Sequence, residues 1–253
     1  MSRPTPSPRH IVIQDVTLPS LRSRFGDEAL CLLARALDGA GVDGIVVASG
    51  DWELAELLSG AGLRAALSMT VESVGEVERA IRLGIRTLRV PVTTLEAVET
   101  IIAAGRSADL HVTALPIDGH VSCPGDLARR AQALEGFGAS CIHVLDVAGA
   151  LDMDGVAARL RAFDRLLSPA TERGISASHD VSLAVANALV AVQNGAVRVD
   201  AALAGPATPL THFITAATRK GWRHGCDPQA LAQVAGMLGA GPINPEFVKE
   251  RAA

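Results

Sequence analysis

Few side chains in this sequence are equipped for chemistry, and those few stand at telling positions. His120 follows Asp118-Gly119. An imidazole exchanges protons near neutral pH, so His120 reads as a general acid–base, with a solvated loop histidine as the plain alternative. Asp15 and Asp146 supply carboxylates that orient a substrate hydroxyl or a histidine, or else cap loop amides. Arg89 carries a planar fork that matches a carboxylate, either on an anionic substrate or on an aspartate of the fold. In Ser176-Ala-Ser178-His179 the two hydroxyls are one residue apart, so on a strand both face one side. His179 then turns away, unless the strand has ended before it.

Several routes are closed. Tyrosine is absent, and of 23 Lys and Arg residues only Lys220 and Lys249 are lysines. Neither lysine falls at an expected strand end, so a Schiff-base mechanism lacks its amine. No GxSxG elbow, P-loop or dinucleotide fingerprint is present. Cys31, Cys123, Cys141 and Cys226 are scattered without a CxxC pair, which indicates neither a zinc ribbon nor a disulfide framework. Chemistry is left to His, Asp/Glu, Arg, Ser/Thr or Cys, with Cys123 the one thiol near a candidate base.

Eight short β-branched runs position these groups. They are 11–15, 44–48, 64–68, 87–90, 111–115, 141–145, 174–178 and 197–201, roughly a βα unit apart. Between them run amphipathic patterns, such as Asp27–Ala40 with Leu30, Leu33, Ala34 and Leu37 on one face. Similar patterns cover 73–83, 126–137, 153–167, 181–193 and 210–220. Gly41, Gly84, Gly138 and Gly195 follow them as left-handed stops. Eight strands each followed by a helix predict an α/β fold, a (β/α)8 TIM barrel, in which active sites gather at the strands' C-terminal ends. Residues 1–9 read as a flexible leader, 10–225 as the barrel, and 226–253 as a helical tail.

The 253 residues suit one such domain. A net charge of −4 and 3% aromatic residues argue against nucleic acid as a partner. No apolar run reaches the ~18 residues of a membrane span, and the Pro/Ser-rich opening lacks a signal peptide's apolar stretch. A cytoplasmic protein is expected, with a homodimer open to it through its barrel ends.

The strand ends carry a resemblance. Ser176-Ala-Ser-His-Asp-Val-Ser-Leu-Ala-Val-Ala-Asn187, running through Gly195 to Val199-Asp-Ala-Ala-Leu-Ala-Gly205, is similar to bacterial 4-hydroxy-2-oxovalerate aldolases. That family lies in the metal-dependent aldolase group with hydroxymethylglutaryl-CoA lyase. Gly138-Ala-Ser-Cys-Ile-His-Val-Leu-Asp146, Ala148-Gly-Ala-Leu-Asp-Met-Asp154, Gly221-Trp-Arg-His-Gly225 and the opening Gln14-Asp-Val-Thr-Leu18 fit it too. The likeness covers roughly residues 10–227.

What the resemblance implies about chemistry is altered here. The family follows Asp-x-Thr-Leu with Arg-Asp-Gly, whose Arg polarises the carbonyl and whose Asp binds a divalent cation. This chain has Pro19, Ser20 and Leu21 there, and Ser23 where the aldolases place a histidine base. The family's other ligands, a His-x-His on the seventh strand, are Ser176 and Ser178. A hard divalent ion needs anionic or strongly basic donors, and three neutral hydroxyls do not offset its dehydration. The expectation is a metal-independent lyase, isomerase or cyclase without a cofactor, acting on a small oxo- or hydroxy-carbonyl compound or oxo-acid. His120, Asp146 and Ser20 would do the chemistry, and Asp15, Arg89, Ser176, Ser178 and His179 would bind substrate. The alternatives are a non-catalytic barrel that binds a metabolite or a protein, or a metal kept by His120, Asp146 and His179.

Overall fold

A computed structural model describes residues 10–178 and 183–239. Eight parallel strands form its centre: β1 (Val12–Asp15), β2 (Gly44–Val47), β3 (Ala66–Thr70), β4 (Thr87–Val92), β5 (His111–Pro116), β6 (Cys141–Asp146), β7 (Glu172–Ala177) and β8 (Arg198–Ala202). Each pairs with the next, and β8 pairs with β1, so the sheet closes into a (β/α)8 barrel. A two-residue β9 (Thr208–Pro209) lies beside β8.

The helices are α1 (Thr17–Leu21), α2 (Asp27–Gly39), α3 (Trp52–Ser59), α4 (Val74–Arg82), α5 (Leu95–Ser107), α6 (Pro124–Phe137), α7 (Met153–Leu166), α8 (Ala184–Gln193), α9 (Leu210–Arg219) and α10 (Pro228–Gly239). Their starts follow capping chemistry. Ser73, Thr94 and Asp152 each accept an amide hydrogen bond from the third residue beyond, which satisfies a donor the helix cannot. The glycines expected to stop helices at 41, 84, 138 and 195 all take positive φ.

Strand alternation divides the side chains between two environments. Leu88, Val90 and Val92 of β4 turn outward and are buried with Val98, Ile101 and Ile102 of α5 in the shell between barrel and helices. The other parity faces the interior. There Arg89 of β4 reaches Asp200 of β8, and His143 of β6 approaches the same carboxylate at 3.5 Å. Such contacts between strands on opposite sides require the barrel's centre. Gln14 Nε2 donates to Ser68 Oγ at 2.5 Å in the same layer.

The interior differs from one sequence expectation. Periodicity alone suggests that His111 and His143 face the helices, yet His143 pairs in register with Gly174 and so shares the inward face of Ser176. Gly174 is what makes room, because a methyl group there would overlap the His143 ring. His111 sits at the N-terminal end of the barrel, 3.0 Å from Glu172. Two strands are also displaced from expectation: β3 begins at Ala66 and β7 at Glu172. α10 packs against α2 and α9.

Candidate active site at the C-terminal mouth of the barrel

The seventh strand brings Ser176 and Ser178 to the mouth on its inward face. Ser176 is half-buried, while Ser178 is only 6% exposed and its Oγ has no hydrogen-bond partner among the described residues. An orphaned buried hydroxyl is costly in a finished core and so calls for an explanation. The Ser178 amide donates to the Asp146 carbonyl at 2.9 Å, which fixes the end of β7 to β6. Across the mouth, Ser20 is exposed on α1.

Between these serines runs the segment that links β8 to α9. The Leu203 amide donates to Thr17 Oγ1 at 2.9 Å, and a Cβ on Gly205 would overlap Ser20 Oγ. Ala207 makes an antiparallel bridge to Ser178, and Thr208 pairs with Ala201. Main chain therefore ties the ends of β1, β7 and β8 together.

The carboxylates are heavily engaged. Asp15 is fully buried and accepts from the Thr17 amide at 2.9 Å and from Thr17 Oγ1 at 2.8 Å. Burial, opposed by those two bonds, pushes its pKa up to about 7. Gln14 holds the inward position of β1, so Asp15 lies on the outer side, under the helices. Asp146 accepts from the Ala150 and Leu151 amides, both at 2.9 Å, and so shapes the loop ahead of α7.

Arg89 is likewise committed. Both ends of its fork bond Asp200, one at 3.0 Å. Burial would raise the Asp200 carboxyl, but Arg89 and His143 outweigh it and hold it below the usual carboxylate range. Burial lowers His143 in turn, and Asp200 only partly compensates. This ionic layer is the floor beneath the mouth, since Ser176 and Asp200 are register partners. It leaves no open fork for a substrate anion.

His120 is half-buried in the β5–α6 loop, with Nδ1 shielded and unpartnered. Arg159 of α7 holds this loop through main-chain carbonyls, with Nε 2.8 Å from Gly119 O. Sequence reasoning missed Arg159. Its signal was available: it shares the buried stripe of Val156, Leu160 and Phe163, where a guanidinium needs a reason to be. Cys123 is spent on capping α6, its Sγ donating to Asp126 at 2.9 Å. His179 lies outside the described residues.

Among the described residues, no three His, Cys, Asp or Glu side chains gather as a metal site would need. The family positions for a cation present hydroxyls, one of them against Gly205 and one bridged to Ala207. Among the described residues, the positions that the resemblance assigns to a cation thus carry neutral hydroxyls, which lack the charge a divalent ion requires of its donors. A separate cavity of about 440 Å³ lies at the opposite end, lined by His111, Glu135 and Glu172. That end of a barrel serves stability. There His111 and Arg198 hold Glu172 at about 2 despite its burial. No helix among the described residues is long and apolar enough to cross a membrane.

Comparison with known proteins agrees with this architecture. The chain is 31% identical to 4-hydroxy-2-oxovalerate aldolase 3 of Burkholderia lata, over 90% of this chain and 74% of that protein. It is 33% identical to 4-hydroxy-2-oxovalerate aldolase 1 of Methylibium petroleiphilum, over 80% of this chain and 66% of the relative. Among solved structures, the HMG-CoA lyase of Brucella melitensis matches with a TM-score of 0.79 at 16% identity, covering 93% of this chain and 100% of that one. The HMGL-like family model matches residues 70–238, from the end of β3 to α10. By family, then, this chain is an HMGL-like protein.

Proposed function

We propose that the chain is a metal-independent lyase of the aldolase type, acting on a small oxo- or hydroxy-carbonyl compound. The observation that carries this reading is the buried, unpartnered Ser178 hydroxyl at the mouth of an aldolase-family barrel. Its donor has no partner among the described residues, and we assign it to a substrate oxygen. The names of the relatives support the reaction class.

The central step is formation of an enolate. His120 takes the proton from a substrate hydroxyl, the C–C bond breaks, and its electron pair moves onto the neighbouring carbonyl. Ser178 and Ser176 donate hydrogen bonds to the oxygen that becomes negative, and Ser20, set against Gly205, adds a third hydroxyl at the mouth. The hydroxyl oxygen becomes the first product's carbonyl, and His120 returns its proton to the enolate carbon, which releases the second product. Fixed donors of this kind are worth about 3–4 kcal/mol each in measured oxyanion holes. Asp146 and the Arg89–Asp200 pair act as rim and floor, because their polar groups are already occupied.

The test is a panel of β-hydroxy ketones and hydroxy-oxo acids, offered to chelator-treated protein with both carbonyl products measured. Turnover that survives the chelator and disappears in His120→Ala is the expected result. Binding across the panel without conversion, or turnover that appears only with added divalent metal, overturns the proposal.

A further inference from the structure

Among the described residues His120 has no side-chain hydrogen bond to aim its ring, and a general base is ordinarily oriented by a second group. Its Nδ1 is buried without a partner. The ring's place must therefore come from the backbone that carries it; Arg130 ties Asp118 ahead of it to α6, and one side chain, Arg159, bonds the carbonyls on either side of the ring. Arg159 Nε donates to Gly119 O at 2.8 Å, and Nη2 donates to His120 O at 2.9 Å and Ser122 O at 2.7 Å. A fourth bond, from Nη1 to Gly155 O at 3.0 Å, anchors the guanidinium to its own helix.

We infer that Arg159 is the positioning residue for His120, a guanidinium that fixes the proton-moving loop through its carbonyls. The inference rests on the role of His120 proposed above. Three features support it beyond the bonds themselves. Arg159 is 6% exposed and has no ion pair among the described residues, and its four hydrogen bonds all go to main-chain carbonyls. The three loop carbonyls flank His120 on both sides, at positions 119, 120 and 122. The loop has no slack at its start, because Gly119 is buried with only 3.1 Å between a Cβ there and the Leu145 and Pro116 carbonyls.

The base of α7 is equally fixed. Asp152 caps it by accepting from the Gly155 amide at 2.7 Å, and Asp146 holds the preceding loop through Ala150 and Leu151. Arg159 therefore joins the frame of α7 to the carbonyls around His120, while Arg130 and the turn bonds hold the loop at Asp118. Lysine cannot replace it, since a single ammonium lacks the fork that reaches several carbonyls at once.

The experiment uses the full chain with histidine-labelled NMR and steady-state kinetics on a substrate found in the panel. His120→Ala assigns the His120 ring signal. Arg159→Lys is expected to move or broaden that signal while the signal of His143, in the barrel interior near Asp200, stays put. It is also expected to lower kcat about 100-fold with KM changed by less than about threefold, the loss typical of a misplaced catalytic group. Added guanidinium, and not sodium at equal ionic strength, restores turnover to Arg159→Ala. Should Arg159→Ala fail to fold, the Arg159→Lys signals and kinetics decide alone. An unmoved His120 ring with wild-type kcat in Arg159→Lys overturns the inference. If His120→Ala keeps full turnover, the proposed reaction role of His120 falls, while the ring signals still report whether Arg159 places the imidazole.

Discussion

Replacing Asp15 by Asn isolates a buried carboxylate that has no cation beside it. Its two oxygens accept from Thr17 alone, and burial raises its pKa from an ordinary 3.8 to about 7. The folded state thus holds this proton more tightly than the unfolded chain does. Stability from this group is fully present below the unfolded pKa and is lost as pH rises through the folded one. The span from 3.8 to about 7 corresponds to about 4 kcal/mol once the group is fully ionised. Integrated between about pH 5 and about pH 8, the loss is roughly 2–3 kcal/mol. Asparagine cannot ionise, and Thr17 Oγ1, which already accepts from Leu203, can turn to accept from the new amide as well. Urea midpoints of wild type and Asp15→Asn across that range should therefore converge at the acid end and diverge at the alkaline end, with the variant more stable. Parallel curves would refute the argument from burial. Because Asp15 lies behind β1, turnover should survive. Its loss at unchanged stability would restore Asp15 to the substrate's side.

Asp200→Asn leaves the Arg89 guanidinium buried without its counter-charge, and chemical denaturation should show a loss of about 3–5 kcal/mol. In wild type the same carboxylate stabilises the fold above its unfolded pKa, and that contribution is lost as acid protonates it, so the variant should show a shallower acid transition. Manganese added to chelator-treated protein should leave the melting temperature unchanged. A bound ion at 100 times its Kd would add about 2.7 kcal/mol, and a rise of that kind would disprove metal independence.

The barrel was legible because its signals are local. Runs such as 141–145 announce strands by composition, and caps and stops mark where helices begin and end. α1, with five residues, is too short to show a period, and α3 and α5 add two helices to the amphipathic patterns named above. Orientation was less accessible. Whether His143 faces a helix or the barrel centre depends on its pairing with Gly174, 31 positions away along the chain. The partners of Arg89 and Arg159 are equally remote: Asp200 stands 111 residues beyond one, and Gly119 stands 40 residues before the other. Sequence order carries no record of such encounters, so a guanidinium that reads either as an anion anchor or as the partner of an aspartate is found bonded to Asp200.

The dependence of the β5–α6 loop on α7 also bears on redesign. Recognition loops of barrels are commonly treated as interchangeable modules, cut and replaced at strand borders. Here, grafting residues 117–123 onto another scaffold would strip the graft of its scaffolding cation, and grafting α7 alone would import a buried charge with nothing to solvate it. The unit that can be transplanted is the pair, two segments apart in the chain that must travel together.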